Sequence, residues 1–569
     1  MRKSTLVGLA GLVAALAGVS YWGARPTPRT WSTTSGAALV AFEQGRQAAE
    51  KFYHIEAIDH FRAALSLDPE FFAARIMLAE SLASSSQNGP AKEETARALE
   101  TVDPSSLTPG ERGLWEIAQL RTQGKYDLVY PALERLAKEN PGDPSFSRQL
   151  ASQALGRGDL DKAAKWAEKT LEVAQNDAMS YNTLGYIEMG RGNFAASEAH
   201  FKRYVFIAPD QANPHDSLGD LYFQYGEYGK ARAKYQQALS MRPDFPSNWK
   251  LAYLYAMDGD FDAALRWVDD MIARAQTDGR RSDGHQWKGL YFSLMGRLND
   301  ALSELGTAET LARTSGNKEL ADIILRDALW ISYDWNRLDL FKSTFEKRLA
   351  YRAESGLGTD SLNKIYELLY TGLYDVTKGN AASARKKLES MEALASGVDE
   401  KEKKFNLLAS NHLKREILFA EGNYDGAVKT FQEAPPVKID LSMATTVQGK
   451  NLPFMADFPA RAYLKKGARS LAVKEYERLV SPEAKDREGA LIHPFSRLRL
   501  AALYEATGES DRAFEQYKSL YHAWRQADPN LPEVQVVRKK LQELKNRAPL
   551  PDKGATVDAF YTVPFIGSL

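Results

Sequence analysis

The sequence predicts an all-α protein built as a solenoid of about 13 helix pairs. Apolar residues recur with the 3.6-residue period of helices, and no stretch sustains the period-two alternation of strands. The chain is also internally repetitive, because a helix, a Gly-polar-aromatic turn and a second helix recur along it. The first anchor residue of each second helix marks thirteen repeats, at positions 57, 91, 129, 163, 197, 231, 264, 301, 341, 384, 427, 472 and 513.

Composition narrows the classes of function open to the chain. Its 569 residues include no cysteine, 74 basic and 74 acidic side chains and 44% hydrophobic residues, as expected of a folded, soluble body. Without cysteine there is no cysteine-ligated zinc, iron–sulfur cluster or thiol nucleophile. Without a basic excess we expect no binding to nucleic acid through bulk charge. We expect neither a small-molecule cofactor nor a bound metal.

The first element is an uncharged, largely apolar run at residues 5–24. About 20 apolar residues suffice to span a bilayer as a helix, and Tyr21 and Trp22 stand where amphipathic rings favour the headgroup zone. The competing interpretation is a cleavable signal peptide, since the run contains a small–x–small cleavage motif, Ala-Leu-Ala. We therefore predict a transmembrane anchor or signal peptide at 1–24, followed by a linker at 25–36.

Residues 37–276 repeat most regularly, with anchors spaced by about 34 residues. Each second helix carries a small–x3–large–x2–small pattern, as in Ala231, Tyr235 and Ala238. Small residues lie where helix backbones cross closely, and the large side chain fills the space beside the crossing. Glycine ends the first helix in a left-handed conformation, and proline stops the second helix. We predict that this segment is a regular solenoid.

Residues 277–547 keep the helical period but space their anchors by about 40–45 residues, so we predict a divergent solenoid. A last helix is expected at 533–545. The apolar C-terminal tail at 548–569 is expected to dock, either on its own solenoid or on a partner. Polar loops containing Gly or Pro are expected at residues 84–90, 276–284, 354–361, 435–453 and 481–494.

The repeated helix pair resembles the tetratricopeptide repeat (TPR). The pattern of Ala57, Phe61 and Ala64 in a second helix carries the resemblance, as does glycine in the first helix at Gly185 and Gly219. The resemblance implies that the first helices form the inner, concave wall of the solenoid. It also implies that this wall binds other proteins.

Residues 458–544 bear a narrower resemblance. They are similar to the C-terminal sensor region of bacterial transmembrane serine/threonine protein kinases and of membrane-tethered winged-helix regulators. The residues that carry it are Pro459, Arg461, Tyr463, Tyr476, Leu500, Tyr504, Gly508, Ala513, Tyr517, Trp524, Ala527, Asp528, Pro529 and Pro532. In those proteins an output domain precedes the membrane span. Only four residues precede the apolar run here, so we expect no kinase or DNA-binding domain.

This second resemblance implies a location. We expect a single-pass protein of the bacterial inner membrane, held through residues 5–24 with its N-terminus inside. The solenoid would then lie on the extracytoplasmic, periplasmic side. If the segment is instead a signal peptide, cleavage leaves the body periplasmic or secreted.

The sequence carries none of the common catalytic motifs. Phosphate-binding loops, dinucleotide fingerprints, zinc-protease helices and nucleophile elbows are all absent. The eight histidines are scattered, and His54 and His60 have the wrong spacing to share one helical face. Adjacent acidic residues such as Asp269 and Asp270 point to different faces of a helix. We therefore expect no enzyme and no metal site.

The best candidate for a functional site is a protein-binding groove on the first helices of the fifth to seventh repeats. Positions there that are not packing anchors combine aromatic and hydrogen-bonding side chains, as protein-binding surfaces do. The candidate residues are Asn182, Tyr186, Asp216, Asp220, Phe223, Trp249 and Tyr253. The alternative is that these aromatic residues fill space between stacked repeats. The two aspartates argue against the Lys/Asn clamp by which chaperone-binding TPR proteins recognise an acidic C-terminal peptide.

The main hypothesis is a membrane-tethered, extracytoplasmic TPR scaffold that binds other proteins, as an assembly factor or a subunit of an envelope complex. An alternative is the sensor half of a signalling system, whose kinase or transcription-regulator output is a separate chain. A third hypothesis, an enzyme hidden in the divergent half, lacks a site on which to argue it.

Overall fold

A computed structural model describes residues 31–358, 361–395, 400–435 and 456–545. Within these ranges the backbone forms α-helices, one short 3-10 helix (Pro104–Ser106), turns and bends, and no strand. None of the helices in the described ranges is long and apolar enough to cross a membrane. The predicted anchor or signal peptide at 1–24, the tail at 548–569 and most of the 435–453 loop lie outside the described residues.

The all-α prediction is confirmed, because the described residues contain 27 α-helices that form thirteen pairs and a terminal helix. The first fourteen helices are α1 (Gly36–Glu50), α2 (His54–Leu67), α3 (Phe72–Ser84), α4 (Asn88–Thr101), α5 (Pro109–Thr122), α6 (Tyr126–Glu139), α7 (Pro144–Gly156), α8 (Leu160–Val173), α9 (Ala178–Gly190), α10 (Phe194–Ile207), α11 (Ala212–Gln224), α12 (Tyr228–Met241), α13 (Ser247–Met257) and α14 (Phe261–Arg274). The remainder are α15 (Asp278–Leu294), α16 (Leu298–Thr314), α17 (Lys318–Asp334), α18 (Leu338–Ser355), α19 (Ser361–Thr377), α20 (Ala381–Ala395), α21 (Glu400–Ala420), α22 (Tyr424–Glu433), α23 (Phe458–Lys465), α24 (Arg469–Leu479), α25 (Pro494–Ala506), α26 (Ser510–Ala523) and α27 (Pro532–Lys545).

Contacts between Cα atoms divide the chain into two compact units. Unit 1 comprises Met1–Ser84 and Pro90–Thr183, and unit 2 comprises Ser85–Gly89 and Leu184–Leu569, so that the division falls inside α9. Within each unit a helix packs mainly on the helices next to it in the sequence, as in helix-pair repeats. The sequence-based division at 276/277 concerns repeat regularity and stays a prediction.

All thirteen predicted anchors lie in the second helices of the pairs, and all are buried. Eleven of them are small or short side chains, whereas Val129 and Phe341 are larger. The terminal helix is predicted at 533–545 and observed from Pro532 to Lys545. Thus the spacing of small residues located the second helix of each pair.

Close backbone crossings explain the small residues of the first helices. A Cβ atom on Gly45 of unit 1 would lie 2.6 Å from Cε1 of Phe61 in the second helix of the same pair. In unit 2, a Cβ atom on Gly219 would lie 2.5 Å from Cε1 of Tyr235. Real Cβ contacts are not this short, so the large side chain of the second helix packs directly on the bare backbone of the first.

Helix ends follow the predicted signals. Gly226 follows α11 with a φ of +77°, the left-handed conformation that glycine adopts at little cost. Helix α2 ends at Leu67, just before Pro69, and α12 ends at Met241, just before Pro243. These signals confine the connection between the two helices of most pairs to a few residues.

In unit 1, the N-terminal described segment is tied to a helix start. Glu111 is fully buried and forms a capping box with Thr108 at the beginning of α5. Ser32 donates to the same carboxylate from its backbone N and its Oγ, at 2.9 and 2.8 Å. Residue 32, which the sequence places in the linker at 25–36, is therefore fixed by a buried acid.

The loop expected at residues 276–284 is mostly helical, which corrects the prediction. Helix α15 begins at Asp278, where Thr277 caps it by accepting a hydrogen bond from the Arg280 backbone N. The glycines in this stretch suggested a break. However, a Cβ on Gly284 would lie 2.4 Å from Cγ1 of Ile272, so this glycine permits a close helix crossing.

The last helices of unit 2 contact helices from the middle of the same unit. Trp524 donates from Nε1 to the Leu294 carbonyl at 3.1 Å, and the Asp528 backbone N donates to the Gly296 carbonyl at 2.9 Å. Arg337 after α17 forms a 3.2 Å ion pair with the buried Glu533 of α27. Unit 2 is therefore held by contacts between distant repeats as well as between neighbours.

Candidate functional site

The seven predicted groove residues lie on three first helices, as expected. Asn182 and Tyr186 belong to α9, three belong to α11 and two to α13. Tyr186 is half-buried and the other six are buried. Asn182 lies in unit 1, and its Oδ1 accepts no hydrogen bond within the described ranges. The structure therefore places the remaining six together in unit 2, largely inside the protein.

Lys250 of α13 joins the two predicted aspartates and was not itself among the predicted residues. Its Nζ lies 2.6 Å from Oδ2 of Asp216 and 2.6 Å from Oδ1 of Asp220. All three side chains are buried. Lys250 stands 34 residues after Asp216, one repeat further along, so the repeat period is the signal that would have found it.

Hydroxyl groups complete this network. Asp220 accepts hydrogen bonds from the OH groups of Tyr186 and Tyr235, both at 2.8 Å. Asp216 accepts one from Oγ of Ser247 at 2.5 Å. Each carboxylate oxygen therefore has a donor, which is the condition for burying charge without a large penalty.

Burial and the sharing of one ammonium group between two carboxylates determine which groups of this cluster are charged. Burial raises the pKa of Asp220 to about 7, opposed by the ammonium of Lys250 and reinforced by the charge of Asp216. Burial disfavours the charged form of Lys250, but the two carboxylates outweigh it and raise the pKa of this lysine. The lysine therefore stays charged at neutral pH, and one carboxyl binds a proton readily.

An aromatic stack continues the site from α11 to α15. The rings of Trp249 and Trp287 are stacked, with centroids 5.2 Å apart and planes at 14°. Tyr253 meets Trp287 edge-on at 6.1 Å and Phe223 at 6.0 Å. Trp287 was not among the predicted residues. We call Asp216, Asp220, Phe223, Trp249, Lys250, Tyr253 and Trp287 the first-helix wall.

A long connection between α24 and α25 covers part of this wall, and we call residues 481–493 the covering loop. The OH of Tyr253 donates to the Gly489 carbonyl at 3.0 Å, and Nη2 of Arg487 donates to the Met257 carbonyl at 3.0 Å. A Cβ on Gly489 would lie 3.1 Å from Cζ of Phe223. The sequence predicted the loop, but nothing in its composition indicates where it lies.

Arg487 is the buried centre of the covering loop. Its Nε donates to the Ser481 carbonyl at 2.7 Å, Nη1 donates to the Ala490 carbonyl, and Nη2 reaches Met257. Burial lowers the pKa of this arginine, and the neighbouring Tyr253 and Asp258 oppose that change. One side chain therefore shapes the loop and attaches it to the end of α13.

Other first helices of unit 2 also carry buried charged side chains. Asp322 of α17 accepts two hydrogen bonds from Arg348, both at 2.8 Å, and one from Arg352 at 2.8 Å. Asp327 accepts one from Gln286 at 2.7 Å, and burial raises the pKa of Asp327 to about 6. These residues lie in the divergent segment at 277–547 and were not among the predicted site residues.

A second charged cluster lies where α21 meets α23. Arg461 bridges Glu416 and Asp457, each at 3.2 Å. Arg415 lies against the Phe431 and Phe458 rings, and its Nε and Nη2 have no hydrogen-bond partner in the described part of the chain. Burial lowers the pKa of Arg415 to about 10.

These buried charges do not form a recognisable reaction centre. In the residues that the structure describes, no three His, Asp or Glu side chains converge as metal ligands would. The pair of His493 and Asp334, 2.7 Å apart, has a structural explanation. His493 caps α25 by accepting from the Phe495 N at Nδ1, which leaves Nε2–H to donate to Asp334.

Comparison with known proteins identifies the repeats. The tetratricopeptide repeat family matches residues 120–178, 149–212 and 217–279, so the chain carries TPRs over the helices that hold the predicted groove. No curated protein matches the chain. The narrower similarity to kinase sensor regions finds no counterpart among these matches.

Solved structures that resemble the chain include TPR proteins. A thermophilic TPR protein of Thermus thermophilus is 25% identical, covers 31% of this chain and 98% of its own, and has a TM-score of 0.28. A TPR protein from Parabacteroides merdae is 14% identical, covers 55% and 99%, and has a TM-score of 0.28. The protein MamA is 21% identical, covers 28% and 92%, and has a TM-score of 0.24.

Proposed function

We propose that this protein is a TPR scaffold that binds another protein through the first-helix wall of unit 2. The observation that carries the proposal is the set of TPRs at residues 120–279, since such repeats typically mediate interactions between proteins. The wall combines large aromatic side chains with buried hydrogen-bonding groups, the composition of protein-binding hot spots. A wall held by its own ion pairs needs little reordering on binding, which favours affinity.

The finer proposal is that the scaffold is tethered to the bacterial inner membrane with its helices in the periplasm. The uncharged run at residues 5–24 supports it, together with the resemblance of residues 458–544 to extracytoplasmic sensor regions. In such a place the protein would serve as an assembly factor or as a subunit of an envelope complex. Mass spectrometry of the mature N-terminus distinguishes a retained anchor from a cleaved signal peptide.

Affinity purification of the tagged full chain from detergent-solubilised membranes tests the binding function. We expect at least one protein to co-purify in stoichiometric amount, and the tagged partner to recover this chain in the reciprocal experiment. An unrelated membrane-anchored protein with the same tag serves as the control. Recovery of the chain alone under several mild detergents contradicts the proposal.

A second candidate function is the sensor half of a signalling system, with its kinase or transcription-regulator output on a separate chain. The resemblance over residues 458–544 is the observation that favours it. Deletion of the gene should then change the phosphorylation or transcription controlled by that output chain. An unchanged phosphoproteome and transcriptome contradict this second function.

A further inference from the structure

We infer that the first-helix wall binds a protein segment carrying an arginine and, two residues later, a glycine in a left-handed turn, and that the covering loop holds this site in cis until such a segment displaces it. The inference rests on the proposed function, because it names the partner chemistry of the same wall. The covering loop presents the arginine and the glycine itself, as Arg487 and Gly489.

The wall and the C-terminal end of α13 contact the covering loop as they would contact a peptide. Tyr253 donates its OH to a backbone carbonyl, that of Gly489, at 3.0 Å. The Met257 carbonyl accepts from the arginine of the loop at 3.0 Å. Neither contact uses an apolar side chain of the loop, so a segment from another protein can make the same two hydrogen bonds.

The arginine position is chemically specific. Met257 is the last residue of α13, where unsatisfied carbonyls give the helix end a partial negative charge. Asp258 lies next to it and favours a cation there. A planar guanidinium donates in three directions at once, to Met257 and to two carbonyls of the segment that carries it. A lysine ammonium lacks this fixed geometry.

The glycine position is specific for a different reason. Gly489 has a φ of +77°, and a Cβ there would lie 3.1 Å from both Phe223 Cζ and Tyr228 OH. The preceding residue, Glu488, also has a positive φ of 53°, which is uncommon for a residue with a side chain. A tight left-handed turn is therefore held against two aromatic rings.

The loop can leave the wall without unpacking the repeats. Pro482, Glu483, Lys485, Asp486 and Glu488 are all exposed. Its inner turn is built from local backbone hydrogen bonds, such as Gly489 N to Ala484 O at 2.9 Å. Its ends are fixed separately, by α24 at Leu479 and by Ile492, which packs against the hydrophobic core, followed by the His493–Asp334 hydrogen bond at 2.7 Å. Displacement therefore moves only the segment between these points.

A peptide-binding experiment tests the inference with the full chain. In an open variant, a Gly-Ser linker of equal length replaces residues 484–491. The probe is a fluorescent synthetic peptide with the sequence of residues 481–493. We expect the open variant to bind this peptide at least tenfold more tightly than the wild type, whose own loop competes. Peptides with Arg487→Lys or Gly489→Val should bind the open variant at least tenfold more weakly than the parent peptide.

Two results overturn the inference. One is an open variant that keeps its helical circular dichroism spectrum but binds the parent peptide no better than a scrambled one. The other is wild-type protein that binds the peptide as tightly as the open variant. The peptide comes from the chain itself, so this result is independent of the purification experiment. If the peptide binds but no protein co-purifies with the chain, the peptide site is supported and the proposed scaffold function is contradicted.

A second variant keeps the test decisive if the open variant does not fold. Gly489→Val places a branched side chain against Phe223 and Tyr228 in an otherwise complete loop. We expect trypsin to cleave after Arg487 at least tenfold faster in this variant than in the wild type. Gly467→Val, at a left-handed turn whose Cβ would meet nothing within 4 Å, is the matched control. Equal cleavage after Arg487 in wild type and Gly489→Val overturns the inference.

Discussion

Lys250 forms ion pairs with two buried carboxylates through one ammonium group. Replacing it with methionine leaves Asp216 and Asp220 buried without a counter-charge. We expect Lys250→Met to destabilise unit 2 by about 3–5 kcal/mol, the usual cost of breaking a buried ion pair from one side. Hydrogen exchange of peptides from α11 and α13 measures the change.

The triple variant that adds Asp216→Asn and Asp220→Asn is the control for this prediction. It removes the two carboxylate charges that Lys250→Met leaves without a counter-charge, and it should recover part of the stability lost in that variant. If Lys250→Met alone leaves exchange in α11 unchanged, the network does not stabilise the wall as described.

Asp220 makes the stability of the wall depend on pH. Its pKa is about 7 in the folded chain and 3.8 in its unperturbed state. Between about pH 4 and pH 7 the folded state keeps a proton that the unfolded state has released, so stability falls as the pH rises through this window. We expect Asp220→Asn to remove that fall, measured by hydrogen exchange of α11 at about pH 5 and about pH 8 after correction for intrinsic rates. An identical pH dependence in both proteins contradicts this account.

Gly219 tests the close helix crossing. Its Cβ would lie 2.5 Å from Tyr235, so Gly219→Ala should destabilise the pair by about 1–3 kcal/mol through overpacking. Gly306 is the matched control, because it is exposed within α16 and its Cβ would meet nothing within 4 Å. Gly306→Ala should stabilise by about 0.5–1 kcal/mol. Thermal unfolding compares the two, and equal effects would contradict the crossing.

Individual residues differ in how well the sequence identifies them. Gly219 and the anchor Ala231 were predictable because repeat packing imposes their small size at fixed intervals. Trp287 and Gly489 were not, since their importance depends on which distant segment they meet. Five of the predicted groove residues lie on the first-helix wall, but the covering of Tyr253 depends on a contact between residues 236 positions apart.

At the scale of elements, the packing of the C-terminal end of α26 against the C-terminal ends of α15 and α17 can be tested directly. Trp524 donates to the Leu294 carbonyl and packs against Trp335, with ring centroids 5.7 Å apart. We expect Trp524→Phe to cost about 1 kcal/mol, for one hydrogen bond, and Trp524→Ala about 3–5 kcal/mol, for the cavity. Hydrogen exchange in α15, α17 and α25–α27 should accelerate in that order. Exchange confined to α26 itself, with α15 and α17 unaffected, would contradict a shared contact.

Helix boundaries were predictable where a proline or a turn glycine ends the helix, as at Pro69 and Gly226. The predicted boundary was wrong at the start of α15, because a glycine in the sequence is compatible with either a helix break or a close helix crossing. Gly284 serves the second purpose against Ile272. Only the packing partner distinguishes the two uses, and a single sequence does not contain it.

At the scale of the whole molecule, the repeat spacing was enough to predict thirteen helix pairs and a terminal helix. Each pair contacts mainly its neighbours, so local pattern carries most of the fold. The exceptions include long-range contacts of unit 2, through the covering loop and through Glu533. These contacts have no period, and those of the covering loop place Gly489 against Tyr253 and Phe223 of the first-helix wall.

Site-specific photo-cross-linking tests most directly whether the first-helix wall binds a partner. A photoreactive amino acid replaces Glu227, an exposed residue beside Gly226, where an added Cβ atom would lie 3.6 Å from Cγ of Lys485 in the covering loop. In a second variant of this chain, the photoreactive amino acid replaces Lys202, which is exposed on the second helix α10. We predict a cross-linked partner from position 227 only, and its loss when the peptide of residues 481–493 is added. Equal cross-linking from both positions, or cross-linking from position 202 alone, would contradict the account.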